Sequence, residues 1–123
     1  MTFVSFASGS SGNCYLLTEG RAAVLLDTGI SLRRIKTGLA RRALTPDDLS
    51  AVLITHEHSD HVAGLPMLLK YYKNVKGYAP QTVAHALERA AAGLERRIVP
   101  IPVGESVALQ PFTLSAVPTM HDP

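Results

Sequence analysis

The 123-residue chain has a single cysteine, Cys14, so no disulfide can form within it. That lack suits a reducing cytoplasm. No run reaches the ~18 apolar residues of a membrane span, and no charged segment precedes an apolar stretch at the N-terminus. A cytoplasmic protein with no membrane partner is therefore expected. Repeats, low-complexity tracts and interdomain linkers are also lacking. Charged residues make up 18% and hydrophobic residues 46%, which excludes the disordered class. Neither sign of charge dominates: the net charge is +2 and the sequence pI about 8.9. Such a balance permits a phosphate-bearing partner without requiring one. At this length the expectation is one domain over residues 1–123, with a real but modest core.

What is present begins with three β-compatible runs, "TFVSFAS", "CYLLTE" and "RAAVLLDTG". The first two are separated by "GSSGN", a turn-forming stretch, so an antiparallel meander is expected. The period then changes. In "SLRRIKTGLARRAL", Ser31 is a good N-cap, and Leu32, Ile35 and Leu39 share one helical face. Arg33, Arg34, Lys36, Arg41 and Arg42 supply five of the chain's twelve Lys and Arg residues in this stretch. They read either as a solvated face or as a contact surface for a phosphate backbone. Beyond them "AVLIT" reads as a strand, "GLPMLLKYYK" as a short helix, "VKGYAP" as a strand and "QTVAHALERAAAGLERR" as a helix. The tail from Ile98 is β-like, with a turn at Gly104. The expected order is β-β-β-α-β-α-β-α-β-β, an α/β class that a purely parallel doubly wound sheet would not give.

The chemistry concentrates in "LITHEHSDHVAG", where His56, His58, Asp60 and His61 put four potential metal ligands within six residues. Packing does not explain so many polar side chains directly after an apolar strand. In extended chain, residues two apart point to the same side, so His56 and His58 are able to converge on one ion. Asp60 and His61 fall where the chain turns toward the next helix. Imidazole and carboxylate donors suit Zn²⁺ at about 2.0–2.2 Å, and they also admit Mn²⁺ or Fe. "SGSSGN" lacks the lysine and the following helix of a phosphate-cradling loop, so it reads as a hairpin turn beside this cluster. Cys14 reads as a small buried apolar residue, His85 as a helix-surface residue, and Tyr71 and Tyr72 as divided between core and surface.

"THEHSDH" resembles the signature of the metallo-β-lactamase-fold hydrolases, and "LLDTG" resembles that fold's early Asp motif. "FASGSSGNCYLL" and "HVAGLPMLLK" narrow the resemblance to the YycJ/WalJ-like branch, whose members are treated as cytoplasmic exonuclease-type phosphodiesterases. The resemblance implies an αβ/βα sandwich, here its N-terminal portion, with a mixed, largely antiparallel sheet and flanking helices. It implies that His56 and His58 hold a first metal, that Asp60 and His61 belong to a second, and that Asp27 is a structural residue nearby. His121 in "PTMHDP" matches the third motif and would complete a three-histidine first site. Asp60 would also handle protons while a metal-activated hydroxide attacks the scissile group.

The resemblance also implies two further ligands, a metal-bridging Asp and a last His, which have no counterpart here. The expectation is therefore a domain incomplete at its C-terminus, with one sheet of the sandwich missing. Such a chain is expected to hydrolyse little alone, and to be able to pair with a second copy through the unfilled half. The function expected of a full-length parent is metal-dependent cleavage of nucleic acid. The alternatives are a hydrolase of a small phosphodiester, thioester or lactone, and an inactive half-domain serving as a binding or assembly module.

Overall fold

The computed structural model of the chain describes residues 1–90, 93–94 and 96–117. His121 and its neighbours in "PTMHDP" lie outside the described residues. The three opening runs form strands β1 (Thr2–Ala7), β2 (Cys14–Glu19) and β3 (Ala22–Leu26), paired antiparallel as a meander. Helix α1 (Leu32–Ala40) starts at Ser31, whose side chain accepts a hydrogen bond from the Arg34 backbone N–H. This N-cap satisfies one of the donors that a helix start leaves without an intrahelical partner. A 3-10 turn over Pro46–Asp48 leads into β4 (Ala51–Leu53). The short α2 (Ser59–Val62), α3 (Leu65–Tyr71), β5 (Gly77–Pro80), α4 (Gln81–Ala90) and β6 (Ile98–Ile101) follow. Strands β7 (Ser106–Leu109) and β8 (Phe112–Ser115) close the described chain.

The six strands β1 to β6 lie side by side in sequence order, and β7–β8 form a separate two-stranded sheet. The pairs β3–β4, β4–β5 and β5–β6 are parallel. The sheet is thus mixed, but three of its five pairs are parallel, which corrects the expectation of a largely antiparallel sheet. The reason is connectivity. Each of these pairs is joined through a helix, and a crossover of that kind returns the chain in the same direction. The tail also differs from expectation in holding three strands rather than two, because β6 pairs with β5 while β7 and β8 pair with each other. Gly104, at φ +87°, makes the turn before β7.

Strand order advances in one direction across the sheet, so right-handed crossovers put every connecting helix on one face. The packing agrees. Ala23, Leu25, Val52, Ala79 and Ile98 from the strands share one cluster with Ile35 and Leu39 of α1, Leu65, Leu68 and Leu69 of α3, and Val83, Ala84 and Leu87 of α4. Val24, Ala51, Tyr78 and Ile101 face the other way, where Ala116 and partly buried Val107, Phe112 and Leu114 cover them. The central strands are apolar on both sides, as parallel strands between two layers must be. Arg97 fastens the far end of α3, donating to the carbonyls of Leu69, Tyr72 and Val75. Cys14 is fully buried, Tyr71 is exposed and Tyr72 packs against the core, as their sequence contexts suggested.

Candidate metal centre

The histidine-rich segment sits just beyond β4, next to the end of β3. This is the carboxyl end of the parallel strands, where chain reversals leave a crevice. Asp27, the residue after β3, adopts a left-handed conformation, φ +62°, that Asp tolerates better than most residues. Its carboxylate is almost wholly buried, 3% exposed, and it organises the cluster. Oδ1 accepts the Thr55 backbone N–H at 2.8 Å, and Oδ2 accepts the Thr55 hydroxyl at 2.7 Å. Oδ2 also lies 2.8 Å from Nδ1 of His61.

These bonds fix which ring nitrogens carry protons. A carboxylate only accepts, so His61 holds a proton on Nδ1, and in the neutral ring the Nε2 lone pair is free. The Thr55 hydroxyl has one proton and gives it to Asp27. Its oxygen therefore accepts from His56, whose Nδ1 lies 2.9 Å away. His56 likewise presents a free Nε2. A carboxylate or hydroxyl behind Nδ1 is the outer support that metal-binding imidazoles ordinarily have.

The backbone beneath is equally constrained. Asn13, at the end of "GSSGN", donates its backbone N–H to the Asp60 carbonyl at 2.7 Å and its side-chain amide to the same oxygen at 3.1 Å. Thr28 donates to the His61 carbonyl and accepts from Gly64, and Gly29 donates to Asn13. Gly29 is where two backbones meet, since a Cβ there would fall 1.8 Å from the Asp60 carbonyl oxygen. Only glycine allows that approach. The "GSSGN" turn lies beside the cluster, as its glycines and its place in the chain suggest. Asn13 and Thr55 stand out less along the chain, where the available signals are an amide entering an apolar strand and a threonine abutting the motif.

The structure brings His56 and His61 together, ring centroids 4.6 Å apart, with His58 at 6.5 Å from His56. His61 Nε2 is 3.6 Å from Asp60 Oδ2. Among the described residues, no three of these donors already form a set able to hold an ion. The donor chemistry nonetheless fits a divalent metal: two imidazoles with free Nε2 atoms stand beside a carboxylate and a third, exposed imidazole. His85 is exposed on α4 and takes no part. Cys14 is buried beneath, and loss of hydration, then the Asp27 charge, push its thiol up to about 12, while Arg34 works the other way. It is protonated at neutral pH and not a ready ligand. A cleft of about 800 Å³ opens against His56, Glu57 and His58, walled by Tyr78, Ile101 and Leu114.

A mixed sheet with its helices on one face, and H-x-H-x-D-H at the carboxyl end of β4, is characteristic of one class. Residues 7–123 match the metallo-β-lactamase superfamily, and the chain belongs to it. Within that class the chain is similar to exodeoxyribonuclease WalJ of Streptococcus pneumoniae, with 42% identity over 84 residues. That match covers 68% of this chain and 31% of WalJ. It is also similar to exodeoxyribonuclease YycJ of Bacillus anthracis, at 35% identity over 70% of this chain and 32% of the relative. The chain thus spans about a third of the length of these relatives. Among solved structures, the chemotaxis sensor ODP in a peroxy diiron form superposes with a TM-score of 0.67 at 26% identity. The superposition covers 87% of this chain and 44% of that one.

Proposed function

We propose that this domain belongs to a metal-dependent phosphodiesterase that cleaves nucleic acid in the cytoplasm. His56 and His58, with His121 from outside the described residues, would hold a first metal, and Asp60 and His61 a second. Zn²⁺ fits this donor set best, with Mn²⁺ or Fe as substitutes. The observation that carries the proposal is the Asp27–Thr55–His56 and Asp27–His61 network, which leaves Nε2 free on both histidines. Similarity to two exodeoxyribonucleases supports the choice of substrate.

A bound metal supplies Lewis acidity, lowering the pKa of water toward about 7 and polarising the phosphoryl oxygen. The chain's own residues do the rest. Asp27 holds His61, and through Thr55 it also holds His56, so that neither ring must reorganise during the reaction. The backbone of Asp60 is held by Asn13 while its side chain, about one-third exposed, is accessible to take or return a proton. The cleft beside His56 and His58 offers apolar walls for the part of the substrate that does not react.

The test loads the purified full-length parent protein with Zn²⁺ or Mn²⁺. It then compares cleavage of a labelled DNA oligonucleotide with hydrolysis of a small phosphodiester and a thioester. Chelator-sensitive DNA cleavage, reduced on the order of 100-fold or more in His58→Ala, is expected. Unchanged cleavage in that variant would overturn the metal assignment. Faster turnover of the thioester would replace nucleic acid with a small substrate. Metal binding without hydrolysis of any of these would favour an assembly module.

A further inference from the structure

On the helical face, a second cleft of about 540 Å³ lies between edge strand β1 and helix α1. Phe6 and Ile30 form its apolar floor, and Arg33, Arg34, Arg41 and Arg42 line it. All four arginines are exposed. Among the described residues none of the four is paired with a carboxylate. No Asp or Glu occurs between Asp27 and Asp47, so α1 has no acidic partner of its own. A merely solvated helix face ordinarily intersperses both signs. This one collects a single sign around a concave surface.

The cleft is built rather than incidental. A Cβ on Gly38 would lie 2.8 Å from the Phe6 ring, so the bare glycine lets that ring settle against α1 as the floor. The Ser31 cap fixes the first turn from which Arg33 and Arg34 project. The arginines fall into two pairs eight residues apart, about 12 Å along the axis. The segment is also tied to the metal centre: Gly29 lies against the Asp60 carbonyl, and the next residue, Ile30, lines the cleft.

We propose that this cleft is a track for single-stranded nucleic acid, with the two guanidinium pairs on separate phosphates of one strand and the apolar floor against a sugar or base. It rests on the nucleic-acid reading of the metal centre and adds to it the route by which the strand is held. The occupant follows from the charge pattern: spaced, repeated anions match two arginine pairs better than a lone phosphate would.

The test measures binding of a fluorescent oligothymidylate by anisotropy across a salt series, with EDTA present so that no cleavage contributes. Arg41→Glu/Arg42→Glu should weaken binding at least tenfold and reduce the log–log salt slope by about 1.4, the share of two phosphate contacts on a single strand. Lys73→Glu/Lys76→Glu makes the same charge change outside the cleft and should cost less than twofold. Equal losses in the two variants, no loss in the arginine variant, or no binding by the parent chain would each overturn the track. If the reversal lowers the melting temperature, Arg41→Gln/Arg42→Gln provides the same comparison. A track that binds in a protein that never cleaves would fault the catalytic reading alone.

Discussion

The two faces of the six-stranded sheet are built to different standards. On the helical face, Leu16, Leu25, Ile35, Leu39, Leu65 and Leu68 are all fully buried, under helices that each return from a crossover. On the other face Val24, Ala51, Tyr78, Ile101 and Ala116 are buried, but Leu17, Leu53, Val107, Phe112 and Leu114 are only partly covered. One face is a finished core and the other a shallow one, opening into the cleft beside His56 and His58. Stability and chemistry are thereby separated: the tightly packed layer holds the strand ends still, while the thinly covered layer leaves access to the histidines.

The sharpest way to break this comparison is a matched truncation. Leu25→Ala, on the helical face, should cost about 2–5 kcal/mol in urea denaturation, because the closed core is unable to collapse around the cavity. Leu114→Ala, on the partly covered face, should cost less than about 1 kcal/mol. Equal losses would mean that the two faces are equally well packed. A smaller effect is expected at the junction. Gly29→Ala places a methyl group on the Asp60 carbonyl and should cost about 1–3 kcal/mol, with loss of zinc binding. Full stability in that variant would show that the Asp60 loop moves freely. Asp27→Asn is expected to weaken zinc about 10- to 100-fold, read by competition with a chelating dye. The Asn amide nitrogen is unable to accept, so Thr55 and His61 no longer share a carboxylate behind their protons. Unaltered zinc affinity would remove Asp27 from the support of the site.

Much of this was legible along the chain because it depends on near neighbours. The Ser31 cap, the Ile35 and Leu39 stripe, the Gly104 turn and the β1–β3 meander all follow from local periodicity and turn chemistry. The density of His56, His58, Asp60 and His61 marks them as candidate metal ligands by composition alone. Other features were not local. The sheet came out mainly parallel because three consecutive helical crossovers preserve strand direction, which no single segment reveals. Strand β6 separated from β7 and β8 because β5 offered it a parallel edge. Pro100 is tolerated there because β6 is itself an edge, with a side that needs no donor.

The amino-acid sequence by itself determined which residues carry donors, charge and helical or strand period, since these are properties of side chains and their spacing. Only the tertiary structure decided which nitrogens those donors expose. Asp27 reaches Thr55 and His61 across 28 and 34 residues, and Asn13 reaches Asp60 across 47. Hydrogen bonds of that span exist only once β3 and β4 lie side by side, and they orient the histidines. The same holds for the arginines, which are a charge run along the chain and become a cleft only where α1 packs against β1.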